Sequence, residues 1–452
     1  MKLFFVVTFL GLLAMSAIAW SIAPDPHRDG KTELSWCSDD NPMRRPQIDL
    51  FNDRNPDLRL ALDPSNAGLE KVIVQSIGGV GPDIFDCYSP FQLSAYVKAG
   101  VAWDITDKLA AEGLDPRKIT WPGVHVDAIL NDRVYGFPTN AAANGIWFHK
   151  DVFDEAGLAY PPRGQWKWPQ LVELAKKLTV RDPQSGRVSR YGFMCDWTVD
   201  YPQFLMQWGA KVYSDDGTRC TLDTPQAAAA IQFMTDLIYV DKVSPTPTEE
   251  QAMATTGGWG SGVISLFGAK RAAMALGGRW WLCAMREMNG LHLGAAEAPI
   301  DNIRVFRGYG KATLINAKSP NREKAFAFMK YLASEPYNEL INAQADGMGP
   351  VMKYTETDKF LHNPEHPEED YNDVWRNILH DAQPDQVSPF VNGPAVDRII
   401  TKQLDLVKMR AKSAAQAMAD ATREVNEHIQ KQLKRDSNLR KRYEALTHTT
   451  VQ

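Results

Sequence analysis

The chain has 452 residues, with 50 Lys and Arg against 55 Asp and Glu and a formal net charge of −5. Its composition, 44% hydrophobic and 23% charged, is typical of a soluble globular protein and excludes a disordered or collagen-like chain. The acidic balance offers no electrostatic footprint for a nucleic-acid backbone, so we expect no nucleic-acid partner.

The amino terminus carries a targeting pattern. Lys2 precedes an apolar run over 3–19, and Ala17 and Ala19 provide the small residues that a signal peptidase requires. The pattern predicts a signal peptide over 1–19 and a periplasmic or extracellular mature protein. An uncleaved membrane anchor is the alternative, because the run is at the short limit for a membrane span.

Beyond this segment, short apolar strands alternate with amphipathic helices. In chain order, the periodicity predicts a strand at 34–36, a helix around Ile48 and Phe51, a strand at 58–62, a helix at 69–77, a strand at 83–86 and a helix at 91–99. This βαβα order predicts an α/β protein with a mainly parallel sheet covered by helices. Ligands of such sheets bind beyond the carboxyl ends of the strands, which points to 37–40 and 86–89.

The cysteine pattern does not predict a framework of disulfide bonds. The five cysteines are an odd number, so in an oxidising compartment at least one thiol is unpaired. Cys195 and Cys220 are candidates for a single bridge, which the sequence alone does not establish. No spacing matches a zinc site, and Pro364 between His362 and His366 breaks the helix that a metal pair would need. We therefore predict no metal site and no cofactor.

Fragments spread along the chain carry a family resemblance. In order they are NPDLRLAL, GGVGPDIFD, VYGFPTNAAANGIWFHKDVFDEAGL, WKWPQLVELAKKLT, FGAKRAAMALGGRWW and INAKSPNREKAFAFMKYLAS. Their order and spacing resemble the extracellular solute-binding proteins of ABC sugar importers, a family related to maltose-binding protein. The resemblance spans nearly all of the chain after the signal segment.

The resemblance implies a two-lobe periplasmic binding protein fold, in which each lobe is a mainly parallel sheet flanked by helices. Three hinge crossings would fall near 140–147, 302–307 and 347–354. The amino-terminal lobe would take 31–140 plus 305–350, and the carboxy-terminal lobe 145–302 plus 354–445.

The chemistry of a sugar site selects the candidate ligand-binding residues. A pyranose stacks one face on an aromatic ring, while its hydroxyls need polar partners when water is excluded. The stacking candidates are Trp259 in a Gly-rich segment, Trp280 in preference to its neighbour Trp281, Tyr309 between two glycines, and Trp197. The polar candidates are Asp39, Asp40, Asp86, Tyr88, Asn140, Asp196 and Arg279.

Each candidate has a plainer structural interpretation. Trp259 and Trp197 are alternatively core anchors, the aspartates Asp39, Asp40 and Asp86 helix caps, and Asn140 a partner of hinge backbone. Arg279, Arg307 and Lys311 lie near the expected cleft and leave an acidic sugar open. Surface salt bridging is the alternative for these three cations.

The resemblance implies a monomeric receptor that captures a sugar or oligosaccharide by lobe closure and delivers it to an ABC import permease in the membrane. A protein of the same fold that binds a polyamine or an anionic solute is one alternative. An exported glycoside hydrolase is another, since two carboxylates suffice for it. The chain lacks the GxSxG, HExxH and P-loop motifs, and we predict that it is not an enzyme.

Overall fold

The computed structural model describes residues 9, 11–16, 30–253 and 262–449. The strands are β1 (Thr32–Cys37), β2 (Leu58–Leu62), β3 (Ile84–Cys87), β4 (Ile129–Leu130), β5 (Arg133–Val134), β6 (Gly136–Ala143), β7 (Gly145–His149), β8 (Val180–Arg181), β9 (Val188–Met194), β10 (Ala272–Gly277), β11 (Leu293–Glu297), β12 (Phe306–Ile315) and β13 (Ala382–Gln383).

The helices flank two large sheets, and β4 and β5 form a separate two-stranded sheet. They are α1 (Arg44–Arg54), α2 (Leu69–Ile77), α3 (Pro90–Lys98), α4 (Thr106–Ala111), α5 (Pro116–Ile119), α6 (Lys150–Glu155), α7 (Trp168–Leu178), α8 (Trp197–Gln207), α9 (Pro225–Tyr239), α10 (Pro247–Met253), α11 (Val263–Gly268), α12 (Leu282–Met285), α13 (Arg322–Leu332), α14 (Glu335–Gln344), α15 (Asp358–Leu361), α16 (Asn372–His380), α17 (Gly393–Lys408), α18 (Ala414–Arg435) and α19 (Ser437–Thr447). Within the described ranges, no helix has the length and apolar character that a membrane crossing requires.

The first sheet has the order β13-β12-β3-β1-β2, and β6 also pairs with β12. Strand β1 runs parallel to β2 and β3, as the βαβα pattern predicts, whereas β12 runs antiparallel to β3 and β6. Alternate residues of β1 face opposite sides of the sheet, so Trp36 joins one core with Phe51 and Cys37 joins another with Phe85. The first lobe is therefore a sheet buried on both faces.

The second sheet has the order β11-β7-β10-β9-β8. Only the β9–β10 pair is parallel; β7 is antiparallel to both β10 and β11, and β8 to β9. The α/β fold class is confirmed, but the strand directions of this lobe are more mixed than the expected mainly parallel sheet. The physical reason is that β7 continues from β6 across a single residue, Asn144, instead of returning through a helical crossover.

The cysteine prediction is corrected by the structure. All five thiols are free and buried, so the Cys195–Cys220 bridge is wrong. Cys220 Sγ lies 4.0 Å from the Thr422 hydroxyl on α18, while Cys195 directly follows β9. Packing rather than disulfide crosslinking stabilises both lobes.

Close packing of α7 on β9 gives a test of the second lobe. A Cβ placed on Gly192 would lie 2.0 Å from the Ala175 carbonyl oxygen, which is backbone and cannot yield cheaply. We expect Gly192→Ala to lower the free energy of unfolding by about 3 kcal/mol, the upper range for overpacking. The measurement is urea denaturation. Gly164→Ala is the matched control, because its Cβ meets nothing within 4 Å; equal stability of the two variants would contradict the packing.

Candidate functional site

A buried lysine joins the carboxyl ends of β1 and β3 to the long strand β12. Lys311 is 4% exposed, and its Nζ donates to Asp86 Oδ2 at 2.7 Å. Asp86 also accepts from Trp36 Nε1 at 2.8 Å and from Thr313 Oγ1 at 2.6 Å. The carboxylate of Asp86 is therefore occupied by donors of the protein itself. It does not cap α3, because that role belongs to Ser89.

Asp39 lies beside this pair and is partly exposed. It accepts from Arg44 Nε at 3.0 Å and from the Tyr88 hydroxyl at 2.8 Å, and it lies 3.4 Å from Lys311 Nζ. Burial alone would raise the pKa of Asp39, but Lys311 and Arg44 outweigh burial and hold the pKa below its usual range. Asp39 is ionised at neutral pH and fixes Tyr88, whose side chain is exposed.

The same network reaches the segment that follows α14. Arg44 Nη1 donates to Asp346 Oδ2 at 2.5 Å. Asn140 of β6 donates to the Asp346 carbonyl at 3.0 Å and accepts from the Lys311 backbone N–H at 3.1 Å. Both the oxygen and the nitrogen of the Asn140 side-chain amide are thus bonded to backbone groups, as expected if Asn140 is a partner of hinge backbone.

Trp280 and Tyr309 meet between the lobes. Trp280 follows β10 of the second sheet, and its Nε1 donates to the hydroxyl of Tyr309 on β12 at 3.1 Å. A Cβ on Gly278 would lie 2.5 Å from the Tyr309 hydroxyl oxygen, so a side chain there would displace the ring. Trp281 is 5% exposed and packs into the core, which leaves Trp280 as the tryptophan of this pair that faces the other lobe.

An arginine–aspartate pair lies beside Tyr309. Arg307 Nε and Nη2 each donate to Asp385 at 2.7 Å, and the guanidinium lies 5.0 Å from the centroid of the Tyr309 ring. Burial would lower the pKa of Arg307, but Asp385 outweighs burial and raises it. The bidentate pairing leaves this cation with its charge compensated inside the protein.

Of these groups, Tyr88, Tyr309, Arg307 and Asp385 line a cavity of about 940 Å³ between the lobes, whereas Asp39, Asp86, Asn140 and Trp280 lie outside its lining. That volume is at the upper end of the range for small-molecule sites, roughly 300–1,000 Å³, and exceeds the needs of one pyranose. Both lobes contribute walls, and at the rim Gly393 of α17 touches Phe91 of α3. The aromatic lining consists of Tyr88, Phe91, Tyr201, Tyr213 and Tyr309.

Two polar groups of this lining are buried without a hydrogen-bond partner among the described residues. Asp127 ends a 3₁₀ helix (Pro122–Asp127) and is 4% exposed, and burial raises the pKa of its carboxyl well above the usual value. The Tyr213 hydroxyl is fully buried and likewise unpaired. The Tyr213 hydroxyl therefore carries the cost of lost hydration until a partner arrives, while Asp127 borders the cavity without a hydrogen-bond partner.

The other predicted residues lie apart from this lining. Asp40 is exposed, and Asp196 caps α8, accepting from Thr198 N at 2.9 Å. Trp197 is 4% exposed and packs in the second core. Trp259 lies outside the described residues.

Arg279 is buried, and its guanidinium holds backbone. It donates to the carbonyls of Gly347 at 2.7 Å and Asn342 at 3.1 Å and to Asn372 Oδ1 at 2.9 Å. Surface salt bridging, the alternative interpretation for Arg279 and Lys311, is therefore wrong, since both side chains are at most 4% exposed. The sequence signal was present: each cation adjoins or interrupts an apolar strand.

A histidine–carboxylate group near His366 gives no reason to revise the metal prediction. His366, Glu368 and Glu369 offer ligand atoms within 4.8 Å of one another. Arg286 Nε and Nη2 occupy both oxygens of Glu369, at 2.7 and 2.8 Å. An ion there would compete with this bidentate pair.

The chain is similar to known binding proteins over most of its length. The family described as bacterial extracellular solute-binding protein matches residues 38–339. A protein of Brucella abortus named as a binding protein is 22% identical over 354 residues, which are 76% of this chain and 81% of that protein. The identity is low, but the alignment runs through both sheets.

Solved structures share the two-lobe fold. An ABC substrate-binding protein from Listeria monocytogenes, in complex with cycloalternan, has a TM-score of 0.74 and 20% identity over 88% of this chain and 98% of that one. Maltose-bound MalE3 of T. maritima has a TM-score of 0.69 and 20% identity over 87% of this chain and 99% of that one.

The lysine network yields a stability test. We expect Lys311→Met to lower the free energy of unfolding by about 3–5 kcal/mol, because it leaves the buried Asp86 without its counter-charge. Chemical denaturation measures the change, and the exposed Lys318→Met serves as control, with an effect within about 0.5 kcal/mol. Adding Asp86→Asn to Lys311→Met should recover part of the loss; no recovery would mean that packing rather than charge is responsible.

A buried carboxyl beside the lobe crossing gives a pH test. Asp200 is 3% exposed, accepts from Asn144 Nδ2 at 3.0 Å, and burial together with Asp196 raises its pKa to about 8. Between about pH 4 and pH 8 the folded state holds this proton and the unfolded state does not, so the free energy of unfolding falls as pH rises.

Replacing this carboxyl should flatten that dependence. We expect the loss of stability between pH 5 and pH 8 in Asp200→Asn to be smaller than in wild type by at least about 1 kcal/mol. Urea denaturation at the two pH values measures it. The exposed Asp53→Asn should keep the wild-type slope, and an unchanged slope in Asp200→Asn would show that Asp200 is ionised in the folded state.

Proposed function

We propose that this chain, which belongs to the family of bacterial extracellular solute-binding proteins, captures a sugar or oligosaccharide between its lobes for an ABC import permease. The observation that carries the proposal is the cavity of about 940 Å³ whose walls come from both lobes and whose lining is rich in tyrosine. Aromatic faces accept the C–H side of a pyranose, and the surrounding polar groups accept its hydroxyls.

The relatives support this ligand class. The Listeria protein is described with cycloalternan bound and the T. maritima protein with maltose. Both ligands are oligosaccharides, and the volume of the cavity suits a ligand of several rings. The family consists of binding proteins, so the glycoside hydrolase alternative is not favoured.

Capture would proceed by closure of the lobes around the ligand. The moving bodies would be 31–140 plus 305–350 and 145–302 plus 354–445, hinged at the three crossings. Because a ligand that touches both walls gains its full contacts only when they are close together, binding shifts the open–closed equilibrium. No bond is made or broken, and the closed monomer would then dock on the permease subunits after export and removal of residues 1–19.

Within the proposed site, Tyr309 would form the stacking platform, and Trp280 would hold it from outside the lining of the cavity. They lie one from each lobe and are joined by a hydrogen bond of 3.1 Å. Tyr88, held by the ionised Asp39, would offer a second aromatic face from the first lobe. Asp40, Asp86, Asn140, Asp196, Trp197 and Arg279 would act behind this surface, and Trp259 stays a prediction.

The experiment begins with thermal unfolding of the mature protein against neutral mono- and oligosaccharides, uronides, polyamines and phosphate esters. A ligand that binds only the folded state raises the midpoint by mass action, so we expect a saturable rise with an oligosaccharide that is recovered unchanged. Release of a hydrolysed product would contradict the proposal, because it would make the protein an enzyme. A rise with polyamines or phosphate esters alone would preserve the fold and overturn the ligand class.

The stacking role then has a direct test. We expect Tyr309→Ala to weaken binding of the best oligosaccharide by about 10–100-fold, because it removes one aromatic face worth roughly 1–3 kcal/mol. Isothermal titration calorimetry measures the affinity. Tyr160→Ala, an exposed tyrosine of the second lobe, is the matched control and should bind like wild type; equal affinities of the two variants would remove Tyr309 from the site.

A further inference from the structure

Acidic residues outnumber basic residues in the lining of the cavity. Its titratable lining contains four aspartates and two basic residues, namely Asp127, Asp215, Asp385 and Asp397 with Lys211 and Arg307. Both basic residues are already paired, Arg307 with Asp385 and Lys211 with Asp215. Asp127 and Asp397 have no ion-pair partner in the part of the chain that the structure describes, so the lining contains two carboxyl groups without a paired cation.

The two unpaired aspartates differ in how far they are removed from water. Asp397 is exposed on α17 and is solvated at the rim. Asp127 is 4% exposed and accepts no hydrogen bond from any described residue. Its nearest charges are Asp385, which repels it, and Arg307, which is committed to Asp385 by two hydrogen bonds of 2.7 Å. Asp127 is therefore a buried hydrogen-bond acceptor for which the described residues supply no donor.

A hydroxyl group would meet only half of this requirement. It offers a hydrogen bond to the carboxyl but brings no charge, so beside a neutral ligand Asp127 stays protonated, because burial raises its pKa. A protonated amine brings both the donor and the charge. The tyrosine and phenylalanine faces around the cavity attract a cation as well, since an aromatic face is electron-rich.

We propose that the cleft selects a sugar that bears a protonated amine, and that Asp127 receives this amine in a charge-assisted hydrogen bond. The inference rests on the proposed function, because it specifies the chemistry of the ligand for the same cavity. Arg307 and Asp385 neutralise one another beside it, so neither competes for the amine. Selectivity then depends on a single carboxylate that has no other partner.

The test compares matched sugars that differ only in the amine. Isothermal titration calorimetry of the mature protein would use chitosan disaccharide, with free amines, against N,N′-diacetylchitobiose and cellobiose, and likewise glucosamine against N-acetylglucosamine and glucose. We expect each amine to bind at least about tenfold more tightly than its neutral counterparts, the worth of one charge-assisted hydrogen bond.

Variants assign the preference to Asp127. We expect Asp127→Asn to reduce the amine preference to less than about twofold and to raise the thermal midpoint of the ligand-free protein, since an unpaired buried carboxyl is removed. Asp53→Asn, exposed in the first lobe, should retain the wild-type preference. The midpoint shows that a change in binding is not caused by failure to fold.

The outcomes distinguish failure of the amine selectivity from failure of the proposed sugar binding. Neutral sugars that bind as tightly as their amines would overturn the inference and leave the sugar receptor intact. Equal weakening of neutral and amine-bearing sugars in Asp127→Asn would make Asp127 a hydroxyl acceptor and also overturn the inference. If sugars of both kinds fail to bind the wild-type protein, the proposed function fails with it.

Discussion

One buried ammonium group, that of Lys311, holds together the strand ends on which the first wall of the cleft is built. Parallel pairing of β1 with β3 brings Asp39 and Asp86 to the same edge of the sheet, where two carboxylates repel one another. Lys311 lies within hydrogen-bond reach of both and is itself shielded from water. Because each member would be a costly buried charge alone, the network favours one arrangement of the three strands.

That constraint divides the polar groups between two tasks. Asp86, Asn140 and Arg279 are saturated by protein partners and hold the strand ends and the crossing segments in place. In the proposed site, recognition would fall instead to groups that the fold leaves without a hydrogen-bond partner, of which Asp127 and the Tyr213 hydroxyl are the buried examples. A rigid, satisfied wall beside an unsatisfied one is a preorganised site, because little has to be reordered when a ligand arrives.

The sequence predicted the elements because their signals are local. Alternation of apolar residues locates β2 at 58–62, and helical spacing locates α2 at 69–77, each with the observed bounds. The partners of a side chain are not local. Lys311 meets Asp86 across 225 positions of sequence, so its burial follows from sheet order and not from its neighbours. Asp127 ends a short 3₁₀ helix that begins with Pro122 and Gly123 and has no apolar periodicity. The sequence of this segment therefore does not predict that the carboxyl lacks a hydrogen-bond partner.

On the side of the lobes away from Arg279, the polar contacts between the lobes are exposed. Lys98 and Asp436 form an ion pair at 2.7 Å and Arg442 approaches Asn131 at 3.3 Å, but the cations are solvent-exposed. Such contacts are worth roughly 0–1 kcal/mol each. At the rim of the cavity, Gly393 has no side chain, and α17 can therefore pack against the ring of Phe91. This contact is steric and adds no hydrogen bond or ion pair. In the proposed mechanism, a ligand that adds contacts to both walls shifts the open–closed equilibrium, and its differential affinity for the two states sets the extent of closure.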